Sequence, residues 1–348
     1  MKSKTVKISL DSFGSFLGRE KGCFVVRDRE GKIKKYPLFE NEVGEIRISS
    51  GNTVSSGALA TCGFWHIDCL ILTRWGNPIA IVRSLVDDSH VETRICQYEA
   101  LKNGKWLEIA KTIVLAKMKG ENELLRKYGL RLLDSYAYSQ EIKAVSFQGN
   151  EKDGLRVPRN KLMSYEGHFS EQYFRQILGL FSESFRPERR KTYKAYDRIN
   201  NVFNLAYSVL TWKVQIALLK AKLEPYLGFL HHVQFGLPSL ICDFEEIYRY
   251  LIDDFVIGYA RDLKNRDFVL KMDAYANKKD KRQFLSDERR RDFLRSLERY
   301  FESSVSIARI RRGRKQELET LINEEALLFA EYLRDEKRSW NPRVVNLR

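Results

Sequence analysis

Asp87-Asp88-Ser89-His90-Val91-Glu92-Thr93 divides this chain, because the spacing of apolar residues differs on its two sides. Upstream the spacing is two. Val6, Ile8 and Leu10 alternate with polar residues, as do Ile46 and Ile48 within Glu45-Ile46-Arg47-Ile48-Ser49, and alternation of this kind belongs to half-buried strands. Asp28-Arg29-Glu30-Gly31 and Gly76-Asn77-Pro78 have the composition of hairpin turns. Between them, Cys23–Val26, Cys69–Leu72 and Ile79–Val82 fit strands buried on at least one face. Downstream the spacing becomes helical: Leu124, Leu125, Tyr128, Leu132 and Tyr136 share one face, and Ile199, Phe203, Ala206, Leu210, Val214 and Ala217 share another. Gly154 to Pro158 reads as a break before a helix that begins near Glu166, Leu223 to Pro238 as a Gly- and Pro-containing loop, and Asp243 as the opening of the next helix. Residues 286 to 338 read as helix with charged faces. The expected fold is α+β and multidomain: a small N-terminal β-sheet or sandwich domain over residues 1–86, a linker over 87–99, and a larger all-α domain over 100–348.

A length of 348 residues exceeds the usual single domain, and a hydrophobic share of 43% suffices for two packed cores. Sixty-one Lys and Arg against 46 Asp and Glu give a net charge of +15, which favours a polyanionic partner, nucleic acid before a membrane surface. Five cysteines, Cys23, Cys62, Cys69, Cys96 and Cys242, form no C-x-x-C pair, and their odd number argues against a disulfide framework. Met1-Lys2-Ser3-Lys4 leads into a strand pattern without an apolar signal core, and His66 and Asp68 interrupt the apolar stretch from Ala58 to Leu72. The expectation is a cytoplasmic, soluble protein without a membrane span. No phosphate-cradling glycine loop, dinucleotide fingerprint or nucleophile motif is present.

Three residues stand in settings that suggest chemistry: Glu166 after Leu162-Met163-Ser164-Tyr165, His231 after Leu227-Gly228-Phe229-Leu230, and Glu246 within Asp243-Phe244-Glu245-Glu246. Two hard carboxylates and one imidazole, with room for water, suit Mg2+ or Mn2+ better than a closed zinc site. Asp243 and Glu246, three apart, project from one helical face. Taken singly each has an ordinary explanation. Acids are common at helix starts, and a loop histidine is more often a hydrogen-bonded structural residue than a ligand. The apolar neighbours Leu240, Ile241, Cys242 and Phe244 weigh against a solvated face, because buried carboxylates need a partner or a metal.

Along essentially its whole length the chain resembles the CRISPR-associated adaptation integrase family, Cas-one. The family's Glu-Gly motif matches Glu166-Gly167, its Gly-Phe-Leu-His motif matches Gly228 to His231, and its Ser-Leu…Asp-x-x-Glu…Arg motif matches Ser239, Leu240, Asp243, Glu246 and Arg249. The segment from Ile46 to Leu59 resembles part of the family's β domain. Departures are Asp197-Arg198-Ile199-Asn200 where Asp-Pro-Ile-Asn is usual, Ile247 in place of a second Glu, and Ser164-Tyr165 before Glu166; none removes a ligand. The resemblance implies a metal site of Glu166, His231 and Glu246, with Asp243 as a supporting acid. It also implies a DNA endonuclease and integrase that inserts short DNA fragments into CRISPR arrays by attack of a DNA 3′-hydroxyl on a phosphodiester. A homodimer formed through the β domain and assembly with a small ferredoxin-like adaptation partner are further implications.

Two basic segments fit a DNA partner. Residues 286–315 hold ten Lys or Arg against five Asp or Glu, among them Arg289, Arg290, Arg291 and Arg295. The stretch from Phe185 to Arg198 interleaves Arg186, Arg189, Arg190 and Lys191 with Tyr193 and Tyr196. For any one of these residues a solvated helix face is an equal reading. Two rival functions stay open at this level: a non-catalytic nucleic-acid scaffold, and a metal-dependent RNA-processing nuclease.

Overall fold

The computed structural model describes residues 5–38, 42–73, 78–84, 91–146, 156–272, 281–305 and 316–347. The Gly76-Asn77 turn, residues 87–90 of the expected linker, Gly154 and residues 306–315 of the basic segment lie outside the described residues. The chain forms two compact units, Met1–Ser89 and His90–Arg348.

The first unit holds two four-stranded sheets. In one, β1 (Thr5–Leu10), β5 (Glu42–Ser49) and β7 (Asp68–Leu72) run parallel, and β8 (Pro78–Val82) returns antiparallel beside β7. The other has the order β4 (Ile33–Pro37), β3 (Cys23–Arg27), β2 (Phe16–Glu20), β6 (Thr53–Val54), and the turn at residues 28–31 joins β3 to β4 as an antiparallel hairpin. Ile8, Leu10, Ile46 and Ile48 of the first sheet and Leu17 and Phe24 of the second share one core, which also takes in Cys62 and Cys69 as free thiols. The unit also contains a helix, α1 (Ser56–Phe64), capped by Ser55, whose side chain accepts the Ala58 N–H. Asn52 fastens the approach to it, donating to the carbonyls of Leu10 (2.7 Å) and Ser49 (3.0 Å) and accepting the Ser15 N–H.

The second unit is mostly helical. Its first helix, α2 (Val91–Lys102), occupies residues 91–99, which the sequence reading assigned to a linker. Two of its buried residues, Thr93 and Gln97, are polar, so no apolar stripe betrays it. Gln97 donates to the carbonyls of Glu224 and Leu227 and accepts the Glu224 N–H at 2.8 Å, while Thr93 accepts from Arg334. The helix α3 (Lys105–Lys127) stops short of the face drawn from Leu124 to Tyr136. Tyr128 caps it, Gly129 adopts a left-handed φ of +65° that suits glycine, and Leu132 lies in the irregular segment before α4 (Ser135–Ala144). The helix α5 (Arg156–Ile177) starts earlier than expected, because Pro158 sits in its first turn, where a missing N–H costs nothing. Glu166 is consequently in mid-helix. Likewise α7 (Ser239–Ala260) begins before Asp243, which falls in its second turn.

The expected helix over Ile199 to Ala217 is α6 (Arg198–Lys220). By length and composition it is apolar enough to cross a membrane, but most of it is buried against α7 and α9 (Leu318–Leu333), as a core helix would be. Two small strand pairs interrupt the helical pattern: β9 (Phe268–Met272) with β10 (Lys281–Leu285), and β11 (Ser304–Val305) with β12 (Gln316–Glu317). Between the pairs runs α8 (Asp287–Phe301).

The packing of α3 on α7 positions the site. Gly120 makes it possible: a Cβ there would fall on the ring of Tyr250, whose hydroxyl is tied to the backbone of Val345. With α5 on the other flank of α3, three helices bring charged residues to one buried place.

Candidate active site

Lys117 of α3 is the residue around which the site is built. Its ammonium hydrogen-bonds Glu166 Oε1 of α5 and lies 2.6 Å from Glu246 Oε2 of α7. Two of the three expected ligands are thus brought together on one cation. Glu246 is nearly fully buried. Arg249, one turn on, holds its Oε1 at 2.6 Å, and Oε2, ion-paired with Lys117, has no directed hydrogen bond among the described residues. Glu121, one turn after Lys117, stands 4.0 Å from the ammonium. Ser170 donates to Glu121 Oε1 (2.7 Å) and lies 3.2 Å from Glu166 Oε1.

His231 is positioned by a different device, and its link to the acids is a charge interaction with Glu246. The chain before it wraps the start of α7 so closely that a Cβ on Gly228 would come within 2.6 Å of the Ser239 backbone. Ser239 Oγ accepts the Gly228 N–H and donates to the Tyr226 carbonyl. Asp243, completely buried, accepts the backbone N–H groups of Phe229 (2.5 Å), Leu230 (3.0 Å) and His231 (2.9 Å), and pairs with His231 Nδ1 at 2.8 Å. A carboxylate only accepts, so Nδ1 carries the proton and Nε2 is left with its lone pair. Arg159, lying over Trp106, holds the same loop through the Phe229 carbonyl.

The electrostatics follow from burial against pairing. Burial opposes the charged form of Glu246, but Arg249, Lys117 and His231 outweigh it and hold its pKa at about 2. Burial likewise disfavours the Lys117 ammonium, and Glu246, Glu166 and Glu121 overcome it, so the pKa sits above the ordinary lysine value. Burial pushes Glu121 up to about 8 despite Lys117. For His231, burial is outweighed by the hydrogen bond and charge of Asp243 together with Glu246, and its pKa is raised. A cavity of about 460 Å³ opens beside the acids, lined by Lys117, Glu121, Glu166, Arg190, Tyr207 and Arg249 among others. Asp253 borders it, held by the hydroxyls of Tyr173 (2.8 Å) and Tyr207 (2.5 Å), with burial raising its pKa to about 6.

The residues fit a hard divalent ion in one respect and leave another to movement. Glu166 Oε1 and Glu246 Oε2 already converge on a single positive charge, and His231 offers Nε2 with its other nitrogen braced by a carboxylate. Among the described residues, however, no three of His, Cys, Asp and Glu are gathered as a metal-holding group. Lys117 stands between the two glutamates.

The sequence reading missed Lys117, Glu121 and Ser170 and gave Arg249 no role. The available signal was a Lys and a Glu four apart on the buried stripe of an amphipathic helix, in line with Ile113, Leu124 and Leu125.

The expected DNA-contacting residues divide. Arg190 is half-buried, bonded to Asn200 and Asn204 and stacked over Phe203 and Tyr207. Exposed Arg186 donates to the carbonyls of Gly179 and Phe181, and the Lys191 N–H is taken by Asn200. Arg289 pairs with Asp267 and Asp292 and lies over Tyr259, and Arg290 is partly buried. Arg189, Arg291 and Arg295 are exposed, the last two on α8. Replacing Arg291 and Arg295 together with Gln is expected to lower the salt slope of duplex-DNA binding by up to about 0.9 per lost phosphate contact. Fluorescence anisotropy across a salt series reads this, and an unchanged slope assigns both to a solvated face.

A two-unit α+β protein with a cluster of acids around one lysine in its helical unit is the class these features define. The family model described as CRISPR associated protein Cas1 matches residues 8–299. The CRISPR-associated endonuclease Cas1 2 of Pyrobaculum aerophilum is 30% identical over 270 residues, 76% of this chain and 86% of that protein. In fold the chain is similar to a casposase bound to integration product, with a TM-score of 0.75 at 18% identity over 96% of this chain and 92% of that one. It is also similar to a Cas6-RT-Cas1–Cas2 complex, with a TM-score of 0.72 at 17% identity over all of this chain and 37% of that longer one. The chain belongs to the Cas1 family.

Proposed function

We propose that this protein is a divalent-metal-dependent DNA endonuclease and integrase that inserts short DNA fragments into CRISPR arrays, a DNA 3′-hydroxyl attacking a phosphodiester. The observation that carries this reading is the convergence of two glutamates from separate helices, Glu246 buried and Glu166 half-buried, on one cationic position in a Cas1-family chain. Glu166, Glu246 and His231 would hold Mg2+ or Mn2+, and the ion, when bound, would supply positive charge to the phosphate under attack and to the departing oxygen. The protein's own part is positioning. Arg249 fixes one oxygen of Glu246 so that the other faces Lys117, and Asp243 sets both the tautomer and the backbone of His231. The cavity beside the acids gives the site room for a reacting group.

The proposed assembly is a homodimer formed through the β domain, joined by a small ferredoxin-like adaptation partner and working on DNA in the cytoplasm. Phe13, Phe64 and Trp65 are exposed on the first unit, which supports an apolar contact surface there. The complex containing Cas1 and Cas2 that shares this fold supports a protein partner.

The test is strand transfer of a short duplex into supercoiled DNA, with and without Mn2+, comparing the wild type with Glu166→Ala. Glu166 is the least buried of the acids gathered at Lys117, so its removal should spare the fold. Wild-type activity should require the ion, and the variant should fall to background with DNA affinity and Tm near wild type. Wild-type-like turnover by Glu166→Ala would remove that residue from the site. Metal-independent binding without turnover would favour a scaffold, and a preference for RNA of the same shape would favour RNA processing.

A further inference from the structure

We propose that Lys117 is a resident counter-ion of the acid site, one that holds Glu166 and Glu246 together until a divalent ion arrives and then withdraws along α3 to Glu121. The inference rests on the reading that those two glutamates hold the ion. Its ammonium pairs with the two carboxylate oxygens that face inward, Glu166 Oε1 and Glu246 Oε2, and so takes up the position a shared metal needs. Two glutamates left without a cation there would repel one another in a buried setting, and a lysine on the neighbouring helix removes that cost. A lysine and a dication cannot share the position, because both are positive and the ammonium there is buried.

Withdrawal has both room and a destination. The Lys117 side chain is a flexible four-carbon stem and lines the cavity of about 460 Å³. Glu121 lies on the same helix, 4.0 Å from the ammonium, and borders the same cavity. Its Oε2 is fully buried and has no hydrogen-bond partner among the described residues, leaving an acceptor for an ammonium that moves less than one helical turn. Arg249 stays behind on Glu246 Oε1, so Oε2 remains aimed at the vacated position.

The experiment measures Mn2+ binding by titration calorimetry on the full chain, together with Tm in chelator and in saturating Mn2+. Lys117→Met, which keeps the stem and removes the charge, should bind Mn2+ tighter than wild type by on the order of tenfold or more. Its Tm should fall in chelator and rise more than the wild-type Tm when Mn2+ is added. Glu121→Gln, which removes the carboxylate at the destination, should weaken Mn2+ binding, and in the Lys117→Met background it should change nothing. A lysine that only supports the fold would give equal or weaker Mn2+ affinity in Lys117→Met, and that result overturns the proposal. If Lys117→Met does not fold, Glu121→Gln carries the test alone, and wild-type Mn2+ affinity in it overturns the proposal. Absence of Mn2+ binding by the wild type would instead overturn the metal assignment, and this inference with it.

Discussion

Glu246→Gln is expected to lower strand transfer and cleavage by roughly 10³-fold or more, equivalent to about 4 kcal/mol of barrier, without recovery on adding Mn2+. The amide has nearly the shape of the acid, so packing is not the cause. What is lost is the negative charge that Lys117 and Arg249 both face. A pH effect accompanies the loss. Because the folded state holds Glu246 at about 2, below its ordinary value of 4.5, this group adds stability at pH above about 4.5 and that part disappears as pH falls towards 2. Urea unfolding across that window should therefore be less pH-dependent in Glu246→Gln than in the wild type. Activity that returns in excess Mn2+ would move the direct ligand elsewhere.

For Asp243→Asn the larger effect is on stability, with a loss of about 3–5 kcal/mol expected in urea unfolding. One completely buried carboxylate accepts three consecutive backbone N–H groups and pairs with the His231 ring nitrogen. An asparagine keeps one oxygen and turns an NH2 group towards donors. Some turnover should survive, reduced about 10- to 100-fold because His231 loses the partner that orients it, and it should rise with Mn2+. Wild-type stability in Asp243→Asn would mean that the loop from Gly228 to His231 is held by other contacts. If Asp243→Asn is the dead variant and Glu246→Gln the rescuable one, the two acids exchange roles.

The two substitutions also mark what could and could not be read along the chain. Asp243 and Glu246 were legible as a pair because three residues of helix put them on one face, and the Gly228–His231 motif was legible because it is local. That Asp243 serves the backbone of that loop was not, since the two are twelve to fourteen positions apart and the chain between them turns on a course that depends on Ser239 and Gly228. Helix starts misled for a related reason. Pro158 has the look of a break in sequence but is tolerated in a first turn, and α2 reads as linker because its buried face carries Thr93 and Gln97.

By itself the sequence determined a β-rich beginning and a helical remainder, through the change of apolar period near residues 87–93, and it determined the motifs that carry the family. Only the tertiary structure decided that Glu166 and Glu246 meet on Lys117. That meeting requires α3 to lie close against α7, which Gly120 and Tyr250 allow, and to carry α5 on its other flank. A charge inside an apolar stripe reads as a flaw in the pattern until the opposing helices are in place. Periodicity records which face of a helix is buried; which charges share that buried space is set by contacts between segments far apart in the chain.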